Sequence, residues 1–202
     1  MARRTKEEAA ATRDRILDAA EQLFAEHGVS RTTLQHIASA AGVTRGAIYW
    51  HFDDKVALFN AMIERAVMPL EVELARMDSA DPLCDLREHM LSALRITVED
   101  ARVRQVFEIA ALKMEFVGDL HAARVRRHES LLKWMARAEE RVGRAIEQGA
   151  VRADINPHAA ALAMWALIDG LIRNYLFDPE LYDLMVVGTQ AIDAQIDGLR
   201  AR

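Results

Sequence analysis

The stretch RTTLQHIASAAGVTRGAIYWHFDDK, residues 31–55, decides how the rest of the chain is read. Its apolar residues fall into two short helical stripes, the first made by Leu34, Ile37, Ala38 and Ala41 and the second by Ile48 and Phe52. Between them stands Gly42, a residue able to take the backbone conformation that a tight reversal of the chain demands. Thr32 and Thr33 are placed to cap the first helix, with Gln35 three residues after Thr32 in the spacing of a capping box, and Thr44 is placed to cap the second. The spacing therefore predicts helices at about 34–41 and 45–51.

With Ile48 and Phe52 turned inward, Gly46 and Trp50 fall on the opposite face of the second helix, flanked by Ala47 and Tyr49. An exposed Tyr and Trp on two turns of helix form an apolar patch that a soluble protein keeps for a partner. The small neighbours let that partner approach the backbone, Arg45 has the reach and fork geometry for a guanine edge, and Lys55 can neutralise a phosphate. These features predict a helix-turn-helix that presents its second helix to DNA.

The segment resembles the helix-turn-helix of the TetR family of transcriptional regulators, over about residues 10–60 and most densely in TRGAIYWHF, and that wording is most similar to the branch that represses multidrug efflux pumps. The resemblance implies a first helix over the DNA backbone and a second in the major groove. Carried over position by position, it implies DNA contacts from Thr33, Gln35, Thr44, Arg45, Gly46, Ala47, Tyr49, Trp50, His51 and Lys55. Arg45 is the expected base reader, and Tyr49, His51 and Lys55 are expected at phosphates.

The 202 residues, 51% hydrophobic and 28% charged, make an ordinary globular protein. A net charge of −5 does not suit a general nucleic-acid binder, so any DNA contact has to be local. Residues 1–60 hold eight basic and eight acidic side chains, which leaves the whole acidic excess to the remainder. The basic N-terminus, with Arg3, Arg4 and Lys6, has no apolar stretch behind it and so does not read as a signal peptide; it is expected as a solvated tail or a DNA-touching arm on a cytoplasmic protein. The single Cys84 has no intramolecular partner and reads as an inert thiol.

No strand pattern is present, and the expected fold is all-α: a helix-turn-helix domain at 1–55 and a helical ligand-binding and dimerisation domain at 56–202. The helix ahead of the motif, about 8–27, ends at Gly28. Asp81-Pro82, Asn156-Pro157 and Asp178-Pro179 each read as a capping residue followed by proline at the first helical position. Pro69 instead falls inside a helix of about 54–77 and is expected to kink it at the joint between the domains. Further helices are expected at about 83–100, 102–117, 120–148, 157–177 and 180–200. Ala159 to Ile168 is apolar all round but too short to cross a membrane, which suits a helix buried on two faces, one against a second copy of the chain. The resemblance implies the same arrangement, a homodimer through the last two helices.

Methionines and aromatics recur through the second domain, among them Met68, Met90, Met114 and Met135 with Phe107, Trp134 and Trp165, in the manner of either an ordinary core or a permissive pocket. The resemblance favours a pocket for a small apolar or aromatic inducer, to which Leu94 and Ala111 also belong. Asp169 and Arg173, four apart, are the polar groups expected at or near it, as an ion pair or as an acid that orients a ligand. No HExxH, GxSxG, CxxC or phosphate-binding glycine loop occurs, and His121 and His128 read as surface histidines, so no catalysis, metal or cofactor is expected. The reading is a dimeric, ligand-responsive repressor of a palindromic operator; the alternative is a constitutive or architectural DNA-binding protein without an inducer.

Overall fold

Capping residues set most of the helix boundaries in the computed structural model, which describes residues 2–76, 79–113 and 121–201. The helices are α1 (Ala2–His27), α2 (Leu34–Ala41), α3 (Arg45–His51), α4 (Lys55–Arg76), α5 (Pro82–Glu99), α6 (Ala101–Leu112), α7 (His121–Glu147), α8 (Pro157–Phe177) and α9 (Leu184–Leu199). The only β-type pairing among the described residues is an isolated bridge between Val151 and Arg200. The chain folds as two compact units, Met1–Ala66 with Gln105–Arg126, and Val67–Arg104 with Arg127–Arg202.

In the first unit, Ile16, Leu17, Ala20 and Phe24 of α1, Ile37, Ala38, Ile48 and Phe52 of the motif, and Leu58, Phe59 and Met62 of α4 are all buried. The rings of Phe24 and Phe59 lie 6.2 Å apart. Gly42 ends α2 at φ 65°, and the amide of Val43 returns to the Ala38 carbonyl at 3.0 Å, closing a left-handed helix end that a side chain would strain. Arg65 of α4 is anchored on α1, 2.9 Å from Asp18, 3.7 Å from Asp14 and in direct contact with the buried Glu21.

The second unit is a bundle of α5, α8 and α9 with the later part of α7. Leu83, Leu86, Met90 and Leu94 of α5 pack with Met135, Ala138 and Val142 of α7, Met164 of α8, and Leu184, Ile192 and Ile196 of α9. A Cβ on Gly188 would overlap the Leu94 side chain, so the missing side chain lets α9 approach α5. Arg87 ties the same two helices through Asp193, with Nε donating at 2.6 Å.

Several boundaries differ from the expectation. Asp81 and Asn156 do cap α5 and α8, but Asp178-Pro179 starts no helix: the Asp178 carboxylate and carbonyl close a turn on Glu180 and Leu181, and α9 begins later, capped by Asp183. The capping box of α2 is made by Thr33 and His36 rather than by Thr32 and Gln35. Thr32 is buried and gives its hydroxyl to the Gly28 carbonyl at 2.8 Å. α1 runs back to Ala2, because its opening residues are nearly all strong helix formers. The end of the helix expected at 102–117 lies outside the described residues. α8 is long and apolar enough to span a membrane by composition, yet only 22% of its most apolar window is buried inside the fold, so the expectation of a helix buried on two faces is met on one face alone within the single chain.

Candidate nucleic-acid interface and effector site

α3 is only seven residues long, held by Thr44, whose hydroxyl accepts from the Ala47 amide at 3.1 Å, and by Ile48 and Phe52 in the core. Burying that one stripe leaves Trp50 73% exposed and Tyr49 46% exposed. Such surface on an anchored helix needs an external partner. Arg45 bonds the Tyr49 hydroxyl at 2.8 Å and lies 5.4 Å from the centre of its ring. A guanidinium has five donors, so this contact fixes its direction while leaving donors for a base. A Cβ on Gly46 would meet only Thr44 Oγ1, at an ordinary 3.8 Å, so the fold itself does not require glycine there. The glycine costs helix propensity and gains only close approach by something outside the chain.

Thr33, Gln35 and Thr44 are exposed beside α3, and Ala47 and His51 are half-buried. Burial, and then the charge of Arg13, push the His51 imidazole below its usual pKa. A neutral ring near pH 7 offers a phosphate a hydrogen bond rather than a charge. Lys55 is engaged within the chain. Its ammonium donates to the carbonyls of Val29 at 2.9 Å, Thr32 at 3.0 Å and Ser30 at 3.3 Å, which ties the loop between α1 and α2 to the start of α4. With three backbone acceptors, the lysine braces that loop in this structure.

The expected effector residues fall in different parts of the described structure. Met90, Leu94 and Met135 are buried in the core of the second unit, while Trp134 and Trp165 are half-buried with ring centres 5.6 Å apart. Met68 is 57% exposed on α4. Phe107 and Ala111 belong to the segment that packs with the first unit, and Met114 lies outside the described residues. Asp169 is not a lone acid, because its carboxylate accepts from Arg173 at 3.3 Å one turn away. Pro69 sits within a continuous α4, three residues past the boundary of the first unit.

The sequence reading missed a buried polar cluster. Asp85 and His89, four apart on α5, and Arg141 of α7 are each less than a tenth exposed. Asp85 accepts from the Ser79 amide at 3.0 Å and lies 4.0 Å from the Arg141 guanidinium. His89 stacks towards Trp134 at 6.4 Å between ring centres. The signal was available, because an acid and a histidine at helical spacing stand beside the stripe of Leu83, Leu86, Met90 and Leu94. Among the described residues no group of three or more His, Cys, Asp or Glu side chains is arranged to hold a metal.

Comparison with known proteins gives these surfaces a context. Residues 16–62 match the family model of bacterial regulatory proteins of the tetR family, and residues 81–201 match that of the C-terminal region of MAATS-type transcriptional repressors. The HTH-type transcriptional regulator TtgR of Pseudomonas putida is 40% identical over 204 residues, covering 99% of this chain and 97% of that protein. AcrR of Shigella flexneri is 43% identical over 187 residues, covering 91% of this chain and 87% of that one. Among solved structures, NalD, the secondary repressor of the MexAB-OprM multidrug efflux pump in Pseudomonas aeruginosa, superposes with a TM-score of 0.88 at 36% identity over 96% of this chain and 98% of its own. The SmeT–triclosan complex superposes with a TM-score of 0.85 at 36% identity over 95% and 92%. Helix-turn-helix, helical C-terminal region and relatives agree: the chain belongs to the TetR family and is a DNA-binding transcriptional regulator, not an enzyme.

Proposed function

We propose that this chain is a cytoplasmic, homodimeric repressor of a multidrug efflux pump that leaves a palindromic operator when an apolar or aromatic small molecule occupies its second unit. The observation that carries the DNA half is the outward face of α3, where Trp50, Tyr49 and Gly46 have no function inside the fold. Arg45 reads a base, Tyr49, Thr33 and Thr44 hold phosphates, and Trp50 packs against the groove wall. Similarity to NalD and to triclosan-bound SmeT supports the efflux branch and the effector.

Dimerisation through α8 and α9 is supported by the apolar surface that they and the turn between them leave outside: Leu162 is 47%, Phe177 79%, Leu181 66% and Val186 56% exposed. A second copy covers that surface and sets two α3 helices about one DNA turn, ~34 Å, or a small multiple apart. The effector need only favour the half-spacing that misfits DNA; a coupling of about 1–3 kcal/mol lowers operator affinity roughly 5- to 150-fold.

The test titrates triclosan into full-length protein bound to the DNA upstream of its own gene. Release of the DNA with a raised melting temperature is expected, since a ligand of the folded form must stabilise it. DNA binding that no member of a broad panel of phenols, dyes and antibiotics relieves supports the constitutive regulator instead. Phe177→Asp should turn a dimer into a monomer by light scattering, and a variant that stays dimeric removes α8 from the interface.

A further inference from the structure

The second unit carries a feature that a purely apolar effector site does not explain. His89 is 94% buried, as its relative exposure of 6% states, and its Nδ1 finds no hydrogen-bond partner among the described residues. A buried imidazole nitrogen without a partner is costly, and native proteins keep one where something else completes it. Its surroundings have a sign: burial first, and then the charges of Arg141 and Arg137 on α7, lower its pKa to about 4. Asp85, on the same helix, is engaged with the Ser79 amide and faces Arg141, so it does not complete Nδ1. Asp169, one turn beyond Trp165 on α8, is compensated by Arg173. Beside the imidazole, Trp134 and then Trp165 form an aromatic wall that reaches from the buried ring to partly exposed surface.

We propose that His89 is the recognition point for an aromatic ring carrying an anionic oxygen, with Nδ1–H donating to that oxygen and the ring lying against Trp134 and Trp165. This rests on the reading of the second unit as an effector site and names the chemical class it selects. The neutral imidazole supplies a donor without adding a charge to desolvate, while Arg137 and Arg141, the latter shared with Asp85 at 4.0 Å, supply the positive potential that separates an anion from a neutral or cationic relative of the same shape.

The experiment titrates the full-length dimer, by calorimetry near pH 7, with three ligands of one shape: naphthoate, naphthamide and naphthylmethylammonium. The expected order places naphthoate at least about tenfold tighter than either of the others. In His89→Leu naphthoate weakens about tenfold while naphthamide stays within about twofold; in His89→Gln, which keeps a donor, at least half of the lost preference returns. Thermal melts establish that each variant is folded. Binding of all three with equal affinity, a preference for the ammonium, or an unchanged naphthoate preference in folded His89→Leu each overturns the assignment to His89 while leaving the effector site standing. Failure of all three to bind the wild-type protein while triclosan binds overturns the assignment to His89 alone, and failure of triclosan as well overturns both.

Discussion

Replacing Lys55 with methionine separates a brace from a DNA contact, because the two roles predict opposite readouts. The ammonium makes three hydrogen bonds to carbonyls of the loop between α1 and α2, at 2.9, 3.0 and 3.3 Å. At about 1.5 kcal/mol for each charged bond, the gross contribution is about 4.5 kcal/mol, and ordering the long side chain takes back about 1.5–2 kcal/mol. Methionine keeps the apolar stem, so the expected loss is about 2.5–3 kcal/mol, reduced towards 2 where water reaches the exposed Ser30 carbonyl. Urea unfolding at fixed protein concentration reads this as a lower midpoint with an unchanged slope. On duplex DNA between 50 and 200 mM salt, the slope of log affinity against log salt should match the wild-type value, since no phosphate contact has been lost. A slope shallower by about 0.9 with an unmoved urea midpoint would refute the brace and restore Lys55 to the phosphate backbone.

Other positions give simpler tests. Trp50→Ala removes a side chain that is 73% exposed, so stability should stay within about 0.5 kcal/mol while DNA affinity falls at least about tenfold; a DNA affinity equal to wild type removes Trp50 from the interface. Gly42→Ala places a Cβ at φ 65° and should cost about 1 kcal/mol in chemical unfolding, with no clash to relieve because nothing lies within 4 Å. Arg65→Met removes the cation in contact with the buried Glu21 and should lower stability by about 2–3 kcal/mol, measured by urea unfolding, whereas an unchanged midpoint denies the ion cluster a structural role. His89 has a folded pKa of about 4, below the ordinary 6.5, so the unfolded chain binds more protons between those values. Its contribution is complete above pH 6.5 and is lost as the pH falls towards 4, on the order of 3 kcal/mol, and His89→Leu should flatten that part of the stability–pH curve.

The residues that could be read from the sequence are those whose effect is local. Gly42, Thr44 and the stripe of Ile48 and Phe52 act within two turns of chain, and α2 and α3 lie where those signals put them. The outward face of α3 followed by subtraction, because a helix that buries Ile48 must expose Trp50. Asp178-Pro179 misled because the same pair can open a helix or close a turn, and the choice rests on whether the next residues have a core to enter. Among the effector residues, the aromatic pair of Trp134 and Trp165 is brought together, Met90, Leu94 and Met135 are in the core of the second unit, and Phe107 belongs to the first. Helical periodicity gives the side of a helix and not its neighbour, so it could not sort these.

By itself, then, the sequence determined an all-α chain with a helix-turn-helix and the face of α3 that looks outward, because helix caps, a left-handed glycine and a 3.6-residue period are properties of neighbouring residues. Only the tertiary structure decided that Lys55 braces a loop 23–26 residues away, that Arg65 holds α1, and that His89 lies buried within the influence of two arginine charges on α7. Each of these depends on which distant groups reach the end of a long or polar side chain, and that distance is set by packing and not by spacing along the chain.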